Sequence, residues 1–290
     1  VSDGRFTIAK WLDSPEAGDA TRFQSLIQQT EDPGGVGDGP GTPEQQATYE
    51  RFTSGTFVNN NDGTYTYTSA FDPTTGAFPV AGDETMRVAI QLSAGDIPAG
   101  NGWCDFQTDA GLNSANDCTS AVANTRDIVQ TDTCNSCHGP TDDTQLAIHG
   151  GGRTDVEYCV TCHNPGTTDA NSGNSVDMTV MVHKIHAGST LANGYKIWGF
   201  RDSLHDYSEV NFTKELDDCT ACHTGGGADE DAWYNIATRE ACGACHDDID
   251  FDFGGGSAHK AQTDNSMCAT CHTPGGIEGA HATENSTPHN

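Results

Sequence analysis

Met86, Val88, Ile90 and Leu92 alternate with Arg87, Ala89 and Gln91, the period-two pattern of a strand buried on one face. Residues 52–57 and 64–71 are rich in aromatic and β-branched side chains, and they flank Asn59-Asn60-Asn61-Asp62-Gly63. That insert reads as a hairpin loop, with Gly63 free to take a positive φ. Residues 5–12 predict a further strand, and Gly- and Pro-rich loops such as residues 32–43 separate the runs. The pattern is that of an all-β domain, a small antiparallel sandwich or barrel.

From residue 129 onward the alternation gives way to short helices and loops with Gly-rich joints at residues 225–227 and 254–256. One helix stands out over residues 175–188 (SVDMTVMVHKIHAG), with Asn174 or Ser175 as N-cap and Gly188 as terminator. Residues 119–133 read as the connector, dividing the chain into a β-domain (1–128) and a second domain (129–290).

The second domain carries the chemistry. Cys-x-x-Cys-His occurs five times: Cys134, Cys137, His138; Cys159, Cys162, His163; Cys219, Cys222, His223; Cys242, Cys245, His246; and Cys268, Cys271, His272. This spacing is that of covalent c-type haem attachment. The two thiols are placed to form thioethers with the two vinyl groups, and the adjacent His lies beneath the iron as proximal ligand. Cys-x-x-Cys pairs also serve zinc sites and redox-active dithiols. Five copies, each followed directly by His, favour five covalent haems. So many porphyrins over so short a stretch would supply the apolar interior that the polypeptide lacks.

The sixth iron position separates electron carriers from catalysts. Seven histidines lie outside the motifs (His149, His183, His186, His205, His259, His281 and His289), and five suffice to make every iron bis-histidine. On a helix, His183 and His186 share a face. They cannot take opposite sides of one iron and so serve two neighbouring haems. Met178, Met181 and Met267 are alternative axial ligands, but the histidine supply makes packing their simpler role. Trp198, Tyr207, Trp233, Tyr234 and Phe251 are expected to pack on haem faces.

Cys104 and Cys118 remain, with 13 residues between them. A disulfide is the simple reading, contributing roughly 3 kcal/mol for a loop of that size; two free thiols are the alternative. A disulfide and c-type haem both place the chain outside the cytoplasm. The first residue, Val1, marks a processed product or part of something longer.

Composition narrows the partners. The net charge is −29, from 13 Lys plus Arg against 42 Asp plus Glu, and 34% of residues are hydrophobic. This excludes a nucleic-acid binder built on phosphate contacts and an anionic-membrane binder. No apolar stretch approaches the ~20 residues of a membrane span. Five ferric bis-histidine haems with ionised propionates would bring the charge to roughly −34. Acidic stretches at residues 229–231 and 247–252 could hold Ca²⁺, although solvated surface is the simpler reading. Asn211 and Asn285 fit the short glycosylation pattern.

The second domain resembles the outer-surface decahaem cytochromes of metal-respiring bacteria, the OmcA/MtrC family, and specifically their first pentahaem domain. The resemblance rests on CNSCHG, LAIHGGGR, YCVTCHNPGTTD, SGNSVDMTVMVHKIHAG, HDYSEV, CTACH, REACGACHDDIDF, AHKAQTDNSMCATCH and a final GAH, over roughly residues 126–282. GRFTIAKWLD, NNNDGTYTYTSAF and MRVAIQLSAGD resemble the β-domain that precedes the haems in that family. The resemblance implies distal ligands at His149, His183, His186, His259 and His281. His205 is then left as a hydrogen-bonding residue near a propionate, and His289 falls in the tail. The family carries two such halves; this chain has one and begins inside the β-domain.

Three functions follow as expectations. The leading one is extracellular electron transfer at the cell outer surface. Electrons would enter from other multihaem cytochromes and pass through five bis-histidine haems to a metal oxide, a flavin or another cytochrome. The main alternative is a homopolymer, a subunit of a conductive cytochrome filament. The third, a nitrite- or hydroxylamine-type multihaem enzyme, needs at least one five-coordinate iron.

Overall fold

The computed structural model describes residues 3–12, 21–94, 97–108, 126–139, 145–251 and 259–281. Nine strands come first: β1 (Asp3–Leu12), β2 (Arg22–Ser25), β3 (Gln28–Glu31), β4 (Glu44–Ala47), β5 (Glu50–Arg51), β6 (Thr56–Asn59), β7 (Tyr65–Thr68), β8 (Thr85–Ala94) and β9 (Ile97–Gln107). They make one antiparallel sheet and two hairpins. In the sheet β1 pairs with β8 and β8 with β9, while β2 and β5 pair with β1 along its other edge. β3–β4 and β6–β7 form the hairpins, the second closing over the Asn- and Gly-rich loop expected there.

Register decides what each face of the sheet meets. Phe6, Ile8 and Lys10 lie opposite Ile90, Val88 and Met86. On this side Met86, Leu26 and Val80 form a core joined by Ile8, Phe71, Phe78 and Phe106. The other face carries Arg5, Thr7 and Ala9 opposite Gln91, Ala89 and Arg87. The alternation assigned that second set to solvent, and the structure reverses this. Arg87, Ala89 and Gln91 are 3%, 0% and 5% exposed, whereas Leu92 is 36% exposed. The cause is tertiary, because the segment bearing the second Cys-x-x-Cys-His motif covers the polar face.

Buried polar groups there are matched across the contact. Arg87 forms a two-pronged pair with Asp105 at 2.7 and 2.8 Å, its guanidinium lying over Phe23 and Trp103. Asn101 donates to the Gly152 carbonyl and accepts from the Thr154 amide, and the Ser25 amide donates to Asn164.

The rest of the chain has short elements: α1 (Thr131–His138), α2 (Val156–Cys159), α3 (Met178–Ala187), the hairpin β10–β11 (Lys196–Gly199, Ser203–Asp206), α4 (Ala232–Asn235), α5 (Arg239–Cys242), α6 (Cys268–Cys271) and α7 (Pro274–His281). The fold is therefore an antiparallel β part followed by a part with few short helices and many loops. The cap of α3 is Asp177, two to three residues past the positions expected, and its carboxylate accepts from the Thr179 and Val180 amides. Gly188 ends the helix at φ 37°, donating to the Lys184 carbonyl. Ala187, Leu191 and Tyr195 anchor α3, with Met181, Ile185, Ile197, Tyr207 and Leu216 packed around them. Among the described residues no helix is long and apolar enough to cross a membrane.

Candidate haem-binding site

Each motif is built on a single helical turn. The backbone amides of His163, His223, His246 and His272 all donate to the carbonyl of their motif's first Cys at 2.9 Å. His138 closes the first motif as the last residue of α1. A turn of this kind brings positions i, i+3 and i+4 to one side, so both thiols and the imidazole face the same space.

Opposite each motif imidazole stands one further imidazole. His138 faces His186 with ring centroids 5.8 Å apart, His149 faces His163 at 5.9 Å, and His183 faces His223 at 6.2 Å. His259 faces His272 at 6.2 Å, and His246 faces His281 at 6.4 Å. An imidazole–metal bond of about 2.0–2.1 Å, with the nitrogen about 1.1 Å from its ring centre, would put two trans imidazoles about 6.3 Å apart. Every pair fits an iron between its rings. His183 and His186, three residues apart on α3, face two different motifs. Sequence reasoning supplied the candidates; the partner of each is new.

The surroundings of four of these rings favour the neutral form, which binds metal. Burial, with the charge of Arg153, His163 and Arg5 nearby, pushes His149 down to about 4. Burial, with His183 and Arg126 beside it, pushes His223 down to about 4, and burial also lowers His163 and His183. A neutral imidazole keeps its lone pair for a ligand bond. The motif thiols move oppositely: burial pushes Cys159 and Cys219 up to about 12 and Cys245 up to about 11.

The remaining candidates fall elsewhere. His205, on β11, meets Ser203 Oγ at 3.1 Å on an exposed hairpin and faces none of the ten paired rings. Met181 is packed around α3, and Met267 is 53% exposed. Phe251 packs edge-on against His259 at 5.1 Å and lines an open cavity of about 570 Å³ that runs past Arg239 and Asp247 beside the fourth motif. Trp233 and Tyr234 pack on each other, and Tyr207 stacks with Tyr195. Among the described residues no three His, Cys, Asp or Glu side chains converge as a cation site. Asp247 instead caps the Ala192 and Asn193 amides at 2.8 Å. Cys104 is disulfide-bonded; its expected partner Cys118 lies outside the described residues, as do His289 and Asn285.

Sequence reasoning missed Arg5, Arg153, Tyr158 and Thr161 around the second motif. Only pairing across the sheet brings Arg5 there. YCVTCH itself contains Tyr158 and Thr161, yet nothing local marks them as buried.

Comparison with known proteins gives one consistent picture. Residues 126–282 match the family described as outer membrane cytochrome MtrC/MtrF-like, domains II/IV. A multiheme cytochrome MtrC of Shewanella baltica (strain OS185) is 33% identical over 227 residues, which is 75% of this chain and 29% of that protein. The crystal structure of the outer membrane decaheme cytochrome OmcA superposes with a TM-score of 0.72 at 29% identity, covering 92% of this chain and 40% of that one. The crystal structure of MtrC from Shewanella baltica OS185 superposes at 0.66 and 28% identity, covering 96% and 39%. The chain thus spans two fifths or less of the length of these relatives.

Proposed function

Because the chain belongs to the MtrC/MtrF-like outer membrane cytochrome family, we propose that it carries electrons through five c-type haems to an acceptor outside the cell. The observation that supports this best is the set of five facing imidazole pairs. Cys134 and Cys137, Cys159 and Cys162, Cys219 and Cys222, Cys242 and Cys245, and Cys268 and Cys271 hold the five haems covalently. His138, His163, His223, His246 and His272 are their proximal ligands, opposite His186, His149, His183, His281 and His259. Bound haem supplies one-electron oxidation and reduction of its iron.

The chain's own residues would hold each haem between two imidazoles and set the spacing of the sites. Short turns position the motifs, and α3 ties two sites together by donating one ring to each. With both axial positions closed there is no vacant site for substrate, which favours outer-sphere transfer over nitrite- or hydroxylamine-type catalysis. Residues 1–128 serve as the β-domain and 129–290 as the pentahaem domain. The acceptor is a metal oxide, a flavin or another multihaem cytochrome, and the protein works after export, at the outer surface, with Cys104 and Cys118 bridged.

Intact mass and haem quantitation of the exported protein should give five haems per chain. Its oxidised spectrum should be wholly low-spin and unmoved by cyanide or nitrite. The reduced protein should be reoxidised by a ferric chelate or flavin. Fewer haems, or a high-spin fraction that binds cyanide, would sink this reading.

A further inference from the structure

Cationic and phenolic groups cluster beside the second motif. Tyr158, immediately before Cys159, is 1% exposed, and its hydroxyl has no hydrogen-bond partner among the described residues. Arg5 Nε, on β1, is likewise buried without a partner. Arg153 is 8% exposed and forms no ion pair among the described residues. Its guanidinium lies 5.4 Å from the Tyr158 ring and 5.3 Å from the Tyr49 ring, and Arg5 approaches Tyr49 at 5.1 Å. Both arginines reach Gln91 Oε1, at 3.2 Å from Arg153 Nε and 3.5 Å from Arg5 Nη1.

Burying an arginine without a counter-charge is costly. Among the described residues Asp3, 3.3 Å from Arg5 Nη2 at a partly exposed edge, is the one carboxylate that pairs with either arginine. An anionic oxygen of a bound group would match these donors. Tyr158 directly precedes Cys159 and the Arg153 guanidinium lies against its ring, so the cluster stands at the second motif, whose His163 faces His149.

We propose that Arg5, Arg153 and Tyr158 hold a propionate of the haem carried by Cys159, Cys162, His163 and His149. This rests on the haem reading above and extends it: a strand of the β-domain completes one haem site. Reduction adds one electron to the iron and neither makes nor breaks a bond. A nearby positive charge favours the added electron, so the clamp raises this haem's potential.

The test uses the holoprotein and its Arg153→Gln, Arg5→Gln, Tyr158→Phe and Arg153→Lys variants. Intact mass counts the haems, and stepwise potentiometry reads the five potentials. The expected result is five haems throughout, with one and the same potential moved downward in the two Gln variants. That potential should move less in Tyr158→Phe and return towards wild type in Arg153→Lys. Five attached haems with unmoved potentials would overturn the clamp alone, while fewer than five in the wild type would overturn the haem reading beneath it. Tyr158→Phe keeps the ring and decides the matter where an arginine variant fails to mature. Inorganic phosphate added to the wild type should leave the potential unchanged; a phosphate-dependent shift would identify an exchangeable anion and overturn the propionate assignment.

Discussion

The hydroxyls of Thr7 and Thr161 meet at 2.7 Å, one on the central strand of the sheet and the other between the two cysteines of the second motif. Both residues are 0% exposed. The Thr161 hydroxyl also reaches the Tyr158 carbonyl at 2.7 Å and the Thr7 hydroxyl the Ala89 carbonyl at 3.4 Å, so each has a carbonyl acceptor besides the other. The sheet thus reaches the inside of a Cys-x-x-Cys-His turn.

Replacing either threonine by valine keeps the shape and strips one partner from a buried polar group, at a cost of about 1–3 kcal/mol. Thr7→Val and Thr161→Val should each lower the denaturant midpoint of the holoprotein. The double variant should cost less than the sum of the singles, because the two residues share one interaction. Strictly additive losses would show that the hydroxyls act independently.

Removing one facing imidazole should open one iron. His183→Ala and His186→Ala are each expected to keep five haems by mass and to convert one of them to a high-spin form. The double variant should convert two, because His183 faces His223 and His186 faces His138. Quantified high-spin electron paramagnetic resonance checks this. A double variant with no more signal than either single would mean that the two rings serve one haem.

Much of this site was legible because its demands are local. Two thiols and an imidazole fit one helical turn, and the spacing of His183 and His186 already puts them on one helix face, from which they meet two different motif imidazoles. The pairing was not legible, since the partner of each ring is set by how loops between motifs close. The polar face of β8 was misjudged for a related reason. Arg87 and Gln91 look like solvent residues until Asp105 on β9 and Arg153 beside the second motif are brought to them by tertiary packing. At the start of α3, Asn174, Ser175 and Asp177 all suit a cap, and only the first helical amides single out Asp177.

Glu50 links stability to pH. Its carboxylate accepts from the Tyr67 hydroxyl, from Ser69 Oγ at 2.7 Å, and from the Ala70 and Phe71 amides at 2.8 and 3.0 Å. Burial pulls the group upward, but these donors outweigh it and hold the carboxyl below its ordinary value of 4.5. The folded state therefore favours the charged form. Its contribution is complete above about pH 4.5 and is lost as pH falls through the depressed value. Glu50→Gln should be less stable at neutral pH by about 1–3 kcal/mol, with the difference closing below pH 4.5. Denaturation curves that stay parallel down to pH 3 would remove Glu50 from the acid response.

The loop at residues 32–43 was expected as a Gly- and Pro-rich connection, and it docks on the second part of the chain. The Gly34 amide donates to Asn171 Oδ1 at 2.7 Å and the Gly39 amide to the Asn171 carbonyl at 2.8 Å. Gly37 has φ 114°, and a Cβ there would stand 2.3 Å from the Asn171 carbonyl oxygen, a backbone atom that cannot swing away. Gly41 has φ 70° with nothing within 4 Å of the same added atom. Gly41→Ala should therefore cost only the left-handed conformation, about 1–2 kcal/mol. Gly37→Ala adds a backbone clash and should undock the loop. Limited proteolysis of the holoproteins separates the two: Gly37→Ala should be nicked faster within residues 34–39, with all five haems retained, while Gly41→Ala stays near wild type. Equal nicking of both variants would mean that the close approach to Asn171 does not hold this loop in place.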